Sequence, residues 1–211
     1  MADSLRVARV AELAAGQLAE VDVIYRQAFP PQLRVPFPGL AVDGPRELLQ
    51  VGLEGAGPVA FAASMLLEEY GWVFLRYYGV AAARRRQGLG QRFWPLLRAA
   101  LRRAGWPDRI VFEVEDPAHA QDERERRVCL GRIEFWRSCG CALLPIPGYV
   151  MPDFTGLAQP EPMLLMAAGL DASPGPQAGQ LAQVVRAIYA GRYGLESSDP
   201  LVVSALATIT A

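Results

Sequence analysis

Residues 72–90 read as a strand, a turn rich in glycine and arginine, and the start of a helix. No other stretch restricts the fold as much. The run Trp-Val-Phe-Leu-Arg-Tyr-Tyr-Gly-Val over residues 72–80 is dense in aromatic and β-branched residues, as a strand requires. From residue 91 to 101 the apolar side chains recur at helical spacing. Between them stand Arg84, Arg85, Arg86, Gln87, Gly88, Leu89 and Gly90. The first turn of a helix has unpaired N–H groups and a partial positive charge, so it suits an anion. Gly88 and Gly90 lack a Cβ and let that backbone approach a bulky guest. The expected guest is a phosphate-bearing cofactor. The competing reading is an ordinary strand–turn–helix with solvated arginines.

Two phosphate-cradling patterns are excluded. A Walker-type loop needs a lysine, and the chain has none. A dinucleotide fingerprint needs a third glycine beyond Gly90, and none follows at that offset. The pattern that fits is Arg/Gln-x-x-Gly-x-Gly/Ala, carried by Arg85 to Gly90. Here the chain resembles the GCN5-related N-acetyltransferase (GNAT) family. Val80, Arg85, Gly88, Leu89 and Gly90 fall into that family's register, with Ala82 where proline is common and Arg86 where glycine is common. The resemblance implies acetyl-CoA as co-substrate, bound by Gly79, Val80, Arg85, Arg86, Gln87, Gly88, Leu89, Gly90, Gln91 and Trp136.

The rest of the chain supplies elements in a compatible order. Residues 5–10 alternate as a short strand, and 11–29 carry a helical apolar stripe that Pro30 and Pro31 stop. Residues 30–45 read as a loop, and 46–53 as a short second helix. Residues 58–67 form a strand candidate, and the turn at 68–71 makes a hairpin with 72–80. Pro95 is expected to kink the following helix or delay its regular start. A strand at 109–115, a helix at 123–139 and strands at 141–146 and 162–168 complete the domain, with a long loop at 145–160. The fold class expected is α/β (α+β): a GNAT-like, mixed, mostly antiparallel central sheet with helices on both faces. Residues 1–170 form the acetyl-CoA-binding domain in this reading. Residues 171–211 add a linker at 171–176, an amphipathic helix at 177–193 and an apolar tail. That extension packs on the domain itself or on a second subunit of a homodimer.

Composition narrows the class. Of 211 residues, 52% are hydrophobic and 20% charged, as in a soluble globular protein. No apolar run is long enough to span a bilayer, and the first residues lack the apolar core of a signal peptide, so a cytoplasmic location is expected and no membrane partner. A net charge of −1 argues against a nucleic-acid partner. Three cysteines and a single histidine predict neither a disulfide scaffold nor a metal site.

Acetyl transfer to an amine requires a held pyrophosphate, a polarised acetyl oxygen, a base for the amine and an outlet for the thiolate. In the family the oxyanion donor lies at the end of the strand before the turn, here Gly79 or Val80. Glu113 and Glu115 are candidate bases, two apart on one strand face, and an arginine-paired structural role is the alternative for both. Glu115 is favoured because it lies nearer the strand's C-terminal end, where open α/β sheets place ligands. The family's tyrosine beside the CoA sulfur falls on Trp136, whose indole has no proton to give near neutral pH. Tyr149 is the candidate substitute. Arg84, Arg92 and Arg127 are candidates for the 3′-phosphate by charge alone.

The resemblance thus implies an N-acetyltransferase that passes an acetyl group from acetyl-CoA to a small-molecule amine or a peptide or protein amine by direct attack on the thioester. The alternative, supported by Trp136, is a catalytically weak or inactive CoA-binding, sensing or interaction module.

Overall fold

The computed structural model describes residues 4–153, 159–169 and 178–209. The chain divides into two compact units. One comprises residues up to Leu66 together with Leu75–Trp106; the other comprises Leu67–Phe74 and residues from Pro107 onward. The proposed linker at 171–176 lies outside the described residues.

In the first unit, β1 (Arg6–Arg9) pairs antiparallel with β2 (Glu47–Glu54), which pairs antiparallel with β3 (Gly57–Leu67). The last residues of β4 (Trp72–Val80) neighbour β3. Helix α1 (Ala15–Ala28) buries Val21, Ile24 and Tyr25. They join Leu49, Val51, Leu53, Phe61, Ala63 and Tyr77 in one cluster. Helix α2 (Leu89–Arg103) buries Leu89, Phe93, Trp94, Leu97 and Leu101 and continues through Pro95. A Cβ added to Gly52 would lie 3.0 Å from Phe93 of α2.

These contacts correct the reading of residues 46–53 as a helix. The segment is β2, and it is covered on both faces. Leu49, Val51 and Leu53 face the α1 cluster, and Gly52 faces Phe93. A strand buried on both sides shows no alternation, so its apolar run looks like one stretch of a buried helix. Its neighbours β1 and β3 supply the ladder hydrogen bonds that decide the matter.

In the second unit, the start of β4 pairs parallel with β5 (Ile110–Glu115), Val73 opposite Ile110 and Phe74 opposite Val111. Along its whole length β5 pairs antiparallel with β8 (Glu161–Ala168). On the other side of β8 lie the two-residue strands β6 (Ala142–Leu143) and β7 (Val150–Met151). The strand expected over 141–146 is thus shorter, because Pro145 cannot donate to a ladder. Helix α3 (Glu123–Ser138) begins at Asp122, whose carboxylate accepts the Glu125 N–H at 2.7 Å. It ends before Gly140, at φ +78°. Helices α4 (Ala178–Tyr193) and α5 (Pro200–Ala207) follow. The sheet is mixed and mostly antiparallel with flanking helices, as the sequence leads one to expect.

Candidate functional site

The turn after β4 belongs to the first unit. Strand β4 ends at Gly79 and Val80. A Cβ on Gly79 would fall 2.4 Å from the Phe61 ring, so the strand end needs glycine for packing. The Ala81 N–H then donates to the Val59 carbonyl at 2.9 Å. A 3-10 turn over Ala82–Arg84 follows. The Arg85 Nε–H donates to the Val80 carbonyl at 3.1 Å, and the Gln87 amide to the Ala83 carbonyl at 2.9 Å. Both long side chains thereby fold back along the turn.

Two residues of the turn are left-handed: Arg86 at φ +59° and Gly88 at φ +72°. Arg86 is the only non-glycine among the described residues with positive φ. Its departure from the expected glycine leaves the backbone conformation that glycine favours in place. Gly88 is the residue before α2. It offers no side-chain cap, and the first turn of α2 holds no acidic residue. Neither the N-cap residue nor an acid of the first turn therefore supplies an acceptor to the opening N–H groups of α2. The Tyr78 hydroxyl donates to the Gly90 carbonyl at 2.6 Å and ties that turn to β4. Leu89 is buried and packs inward, whereas Gln91 is exposed. Arg84 forms an ion pair with Glu54, and Arg92 lies 3.4 Å from the same carboxylate. Arg127 is exposed on α3, its Nε–H donating to the Glu123 carbonyl.

The second unit brings two phenol hydroxyls onto Glu113. The Tyr149 hydroxyl donates to Glu113 Oε1 at 2.6 Å. The Tyr193 hydroxyl reaches Oε1 at 2.7 Å and Oε2 at 2.9 Å. Tyr189 stacks on Tyr149 with centroids 5.1 Å apart, and its hydroxyl donates to the Val150 carbonyl at 2.8 Å. Loss of hydration pushes the Glu113 carboxyl up; the hydrogen bonds from Tyr149 and Tyr193 and the nearby Arg192 charge pull it down, and burial wins. The Tyr149 phenol is pushed well up, first by burial and then by the Glu113 charge. Burial pushes Tyr189 up to about 12.

The two glutamates of β5 thus have different surroundings. Glu115 pairs with Arg132 of α3. Glu113 is held by phenols. Tyr149 is only 1% exposed, so it supports Glu113 from within. Trp136 is buried, its ring centroid 4.3 Å from that of Phe112 of β5. Tyr193 was not singled out by the sequence reasoning. Its signal was present: Tyr189 and Tyr193 stand four apart, on one face of a helix. Among the described residues, no cluster of three or more His, Cys, Asp or Glu side chains is arranged to hold a metal ion. No described helix is long and apolar enough to cross a membrane.

No protein-family model matches the sequence, and no curated protein matches it. Solved structures do match in fold. A protein of Bacteroides thetaiotaomicron assigned to the GNAT acetyltransferases superimposes with a TM-score of 0.66 at 19% identity, covering 92% of this chain and 99% of its own. The ribosomal-protein-S18-alanine N-acetyltransferase of Escherichia coli gives 0.52 at 19% identity, covering 78% of this chain and 92% of its own. An aminoglycoside 6′-N-acetyltransferase complexed with coenzyme A gives 0.56 at 14% identity, covering 77% and 95%. The chain has the fold of the GNAT acetyltransferases.

Proposed function

We propose that the protein is an N-acetyltransferase that uses acetyl-CoA and acetylates an amine. The observation that carries this reading is the turn from Arg85 to Gly90. Left-handed Arg86 and Gly88 lead into a helix whose N-cap offers no side-chain cap and whose first turn holds no acidic residue. That arrangement fits a pyrophosphate. The aminoglycoside enzyme that shares the fold is described in complex with coenzyme A, which supports the same assignment. Acetyl-CoA supplies the acetyl group as a thioester.

The amides of Arg86 to Gly90 hold the pyrophosphate, with Arg85 and Gln87 bracing the turn. The backbone N–H at Val80 polarises the acetyl oxygen, with Gly79 fixing the strand end beside it. Glu113 takes the proton of the attacking amine. It is preferred to Glu115 because a carboxylate held by two phenols, with a raised proton affinity, suits a base better than one paired with arginine. Trp136, packed on Phe112, shapes the end of α3 and leaves solvent to protonate the departing thiolate. The acceptor is a small-molecule amine or the amine of a peptide or protein; the aminoglycoside and S18 enzymes of the same fold represent both kinds.

Calorimetric titration of the protein with acetyl-CoA tests the assignment. Binding is expected, and Gly88→Leu should weaken it at least tenfold while leaving the circular dichroism spectrum unchanged. Unchanged affinity in the variant would refute the turn as the pyrophosphate site. Thiol release across an amine panel then reads turnover. Binding without release from any amine would favour the sensing or scaffolding module, for which Trp136 in the tyrosine place is the supporting observation.

A further inference from the structure

Helix α4 lies beyond the strands and helices that the turn and β5 require, yet it contributes a direct contact to Glu113. The Tyr193 hydroxyl has one proton and sits within hydrogen-bond distance of both carboxylate oxygens. Oε1 also accepts the Tyr149 hydroxyl, whereas Oε2 has only the longer arm of the shared contact. A carboxylate oxygen accepts about two hydrogen bonds. Oε1 is therefore filled, and Oε2 retains capacity. Tyr149 is enclosed, while Tyr193 is partly exposed.

We infer that Tyr193 is a positioning residue for Glu113, fixing the carboxylate through Oε1 so that Oε2 accepts the amine proton, and that α4 is in this way part of the transfer apparatus. This rests on the acetyltransferase reading above. As the amine nitrogen bonds to the acetyl carbon, its proton passes to Oε2. The electron pair of the breaking C–S bond leaves on sulfur, which solvent protonates. The other groups that act on Glu113 are Tyr149 from the loop before β7, Tyr189 and Arg192 of α4, and Glu161 of β8. A phenol that donates to a carboxylate favours its ionised form, so loss of Tyr193 raises the proton affinity of Glu113.

The test is a ¹³C NMR titration of the glutamate carboxyls in the wild-type protein and in Tyr193→Phe, with Glu113→Gln assigning the signal. Tyr193→Phe should move the Glu113 midpoint up by about one pH unit, a tenfold change in proton affinity. The acid limb of kcat/KM should move up with it, while acetyl-CoA affinity stays constant. Site-specific 3-fluorotyrosine at position 193, a stronger donor of the same shape, should move both readouts down, and it serves if the phenylalanine variant does not fold. Midpoint and limb unmoved in both variants would overturn the inference. A midpoint that moves in a protein that acetylates no amine would instead overturn the transfer reading, and the catalytic role with it.

Discussion

Glu113 carries the clearest electrostatic tension in the molecule. Burial raises its carboxyl above the ordinary value of 4.5, and two phenols and the Arg192 charge offset only part of that rise. The sign of the linkage follows. The folded protein holds the Glu113 proton more tightly than the unfolded chain does. Its contribution to stability is therefore fullest below pH 4.5 and is lost as pH rises through the raised value. Glu113→Gln removes this titration. The stability of the wild type relative to the variant should fall as pH rises from the ordinary carboxylate range, which urea denaturation at a series of pH values reads directly. A flat difference would mean that Glu113 titrates alike in both states.

Among the elements, α3 and β2 show how neighbours decide what a segment becomes. The end of α3 is anchored by Trp136 against Phe112 of β5 and against Phe135, with Cys129 and Ile133 buried on the same helix. Removing a buried indole leaves a large void, so Trp136→Ala should cost about 3–5 kcal/mol by chemical denaturation. Trp136→Tyr keeps most of that packing, and a rise in its turnover would show that a proton donor had been limiting. The helix was legible in the sequence over 123–139, and its cap at Asp122 emerged only with the fold. Strand β2 was not. Over eight residues its apolar run fits either period, and the cover from α1 on one face and Phe93 on the other is set by distant parts of the chain.

At the scale of the whole molecule, residues after 177 build core. In α4, Leu181, Val184, Val185, Ala187, Ile188 and Tyr189 are all nearly or fully buried. A Cβ on Gly191 would lie 2.7 Å from Leu67, so the helix approaches that side chain closely. Tyr189 stacks on Tyr149, and the Gly148 N–H donates to the Thr208 hydroxyl beyond α5 at 3.3 Å. Each large apolar side chain contributes about 1.5–3 kcal/mol when fully buried. Five of them approach the 5–15 kcal/mol that separates folded from unfolded domains. A chain ending at Gly169 should therefore lose cooperative thermal unfolding and bind a hydrophobic dye. A truncated chain that melts like the full one would show that α4 and α5 are dispensable.

Local chemistry determined what could be read without coordinates. The strand–turn–helix of residues 72–90, the spacing of Arg85, Gly88 and Gly90, the helix over 123–139 and the apolar stripe of α4 depend on neighbours a few residues away. Backbone sterics and helix periodicity act at that range, so the turn and the order of most elements were legible. The folded chain alone decided which glutamate is held by phenols and which by arginine. Glu113 meets Tyr149 and Tyr193 across sequence separations of 36 and 80 residues. Burial and hydrogen bonding at such separations set the proton affinity of a carboxylate, and they exist only once β5, β7 and α4 have packed together.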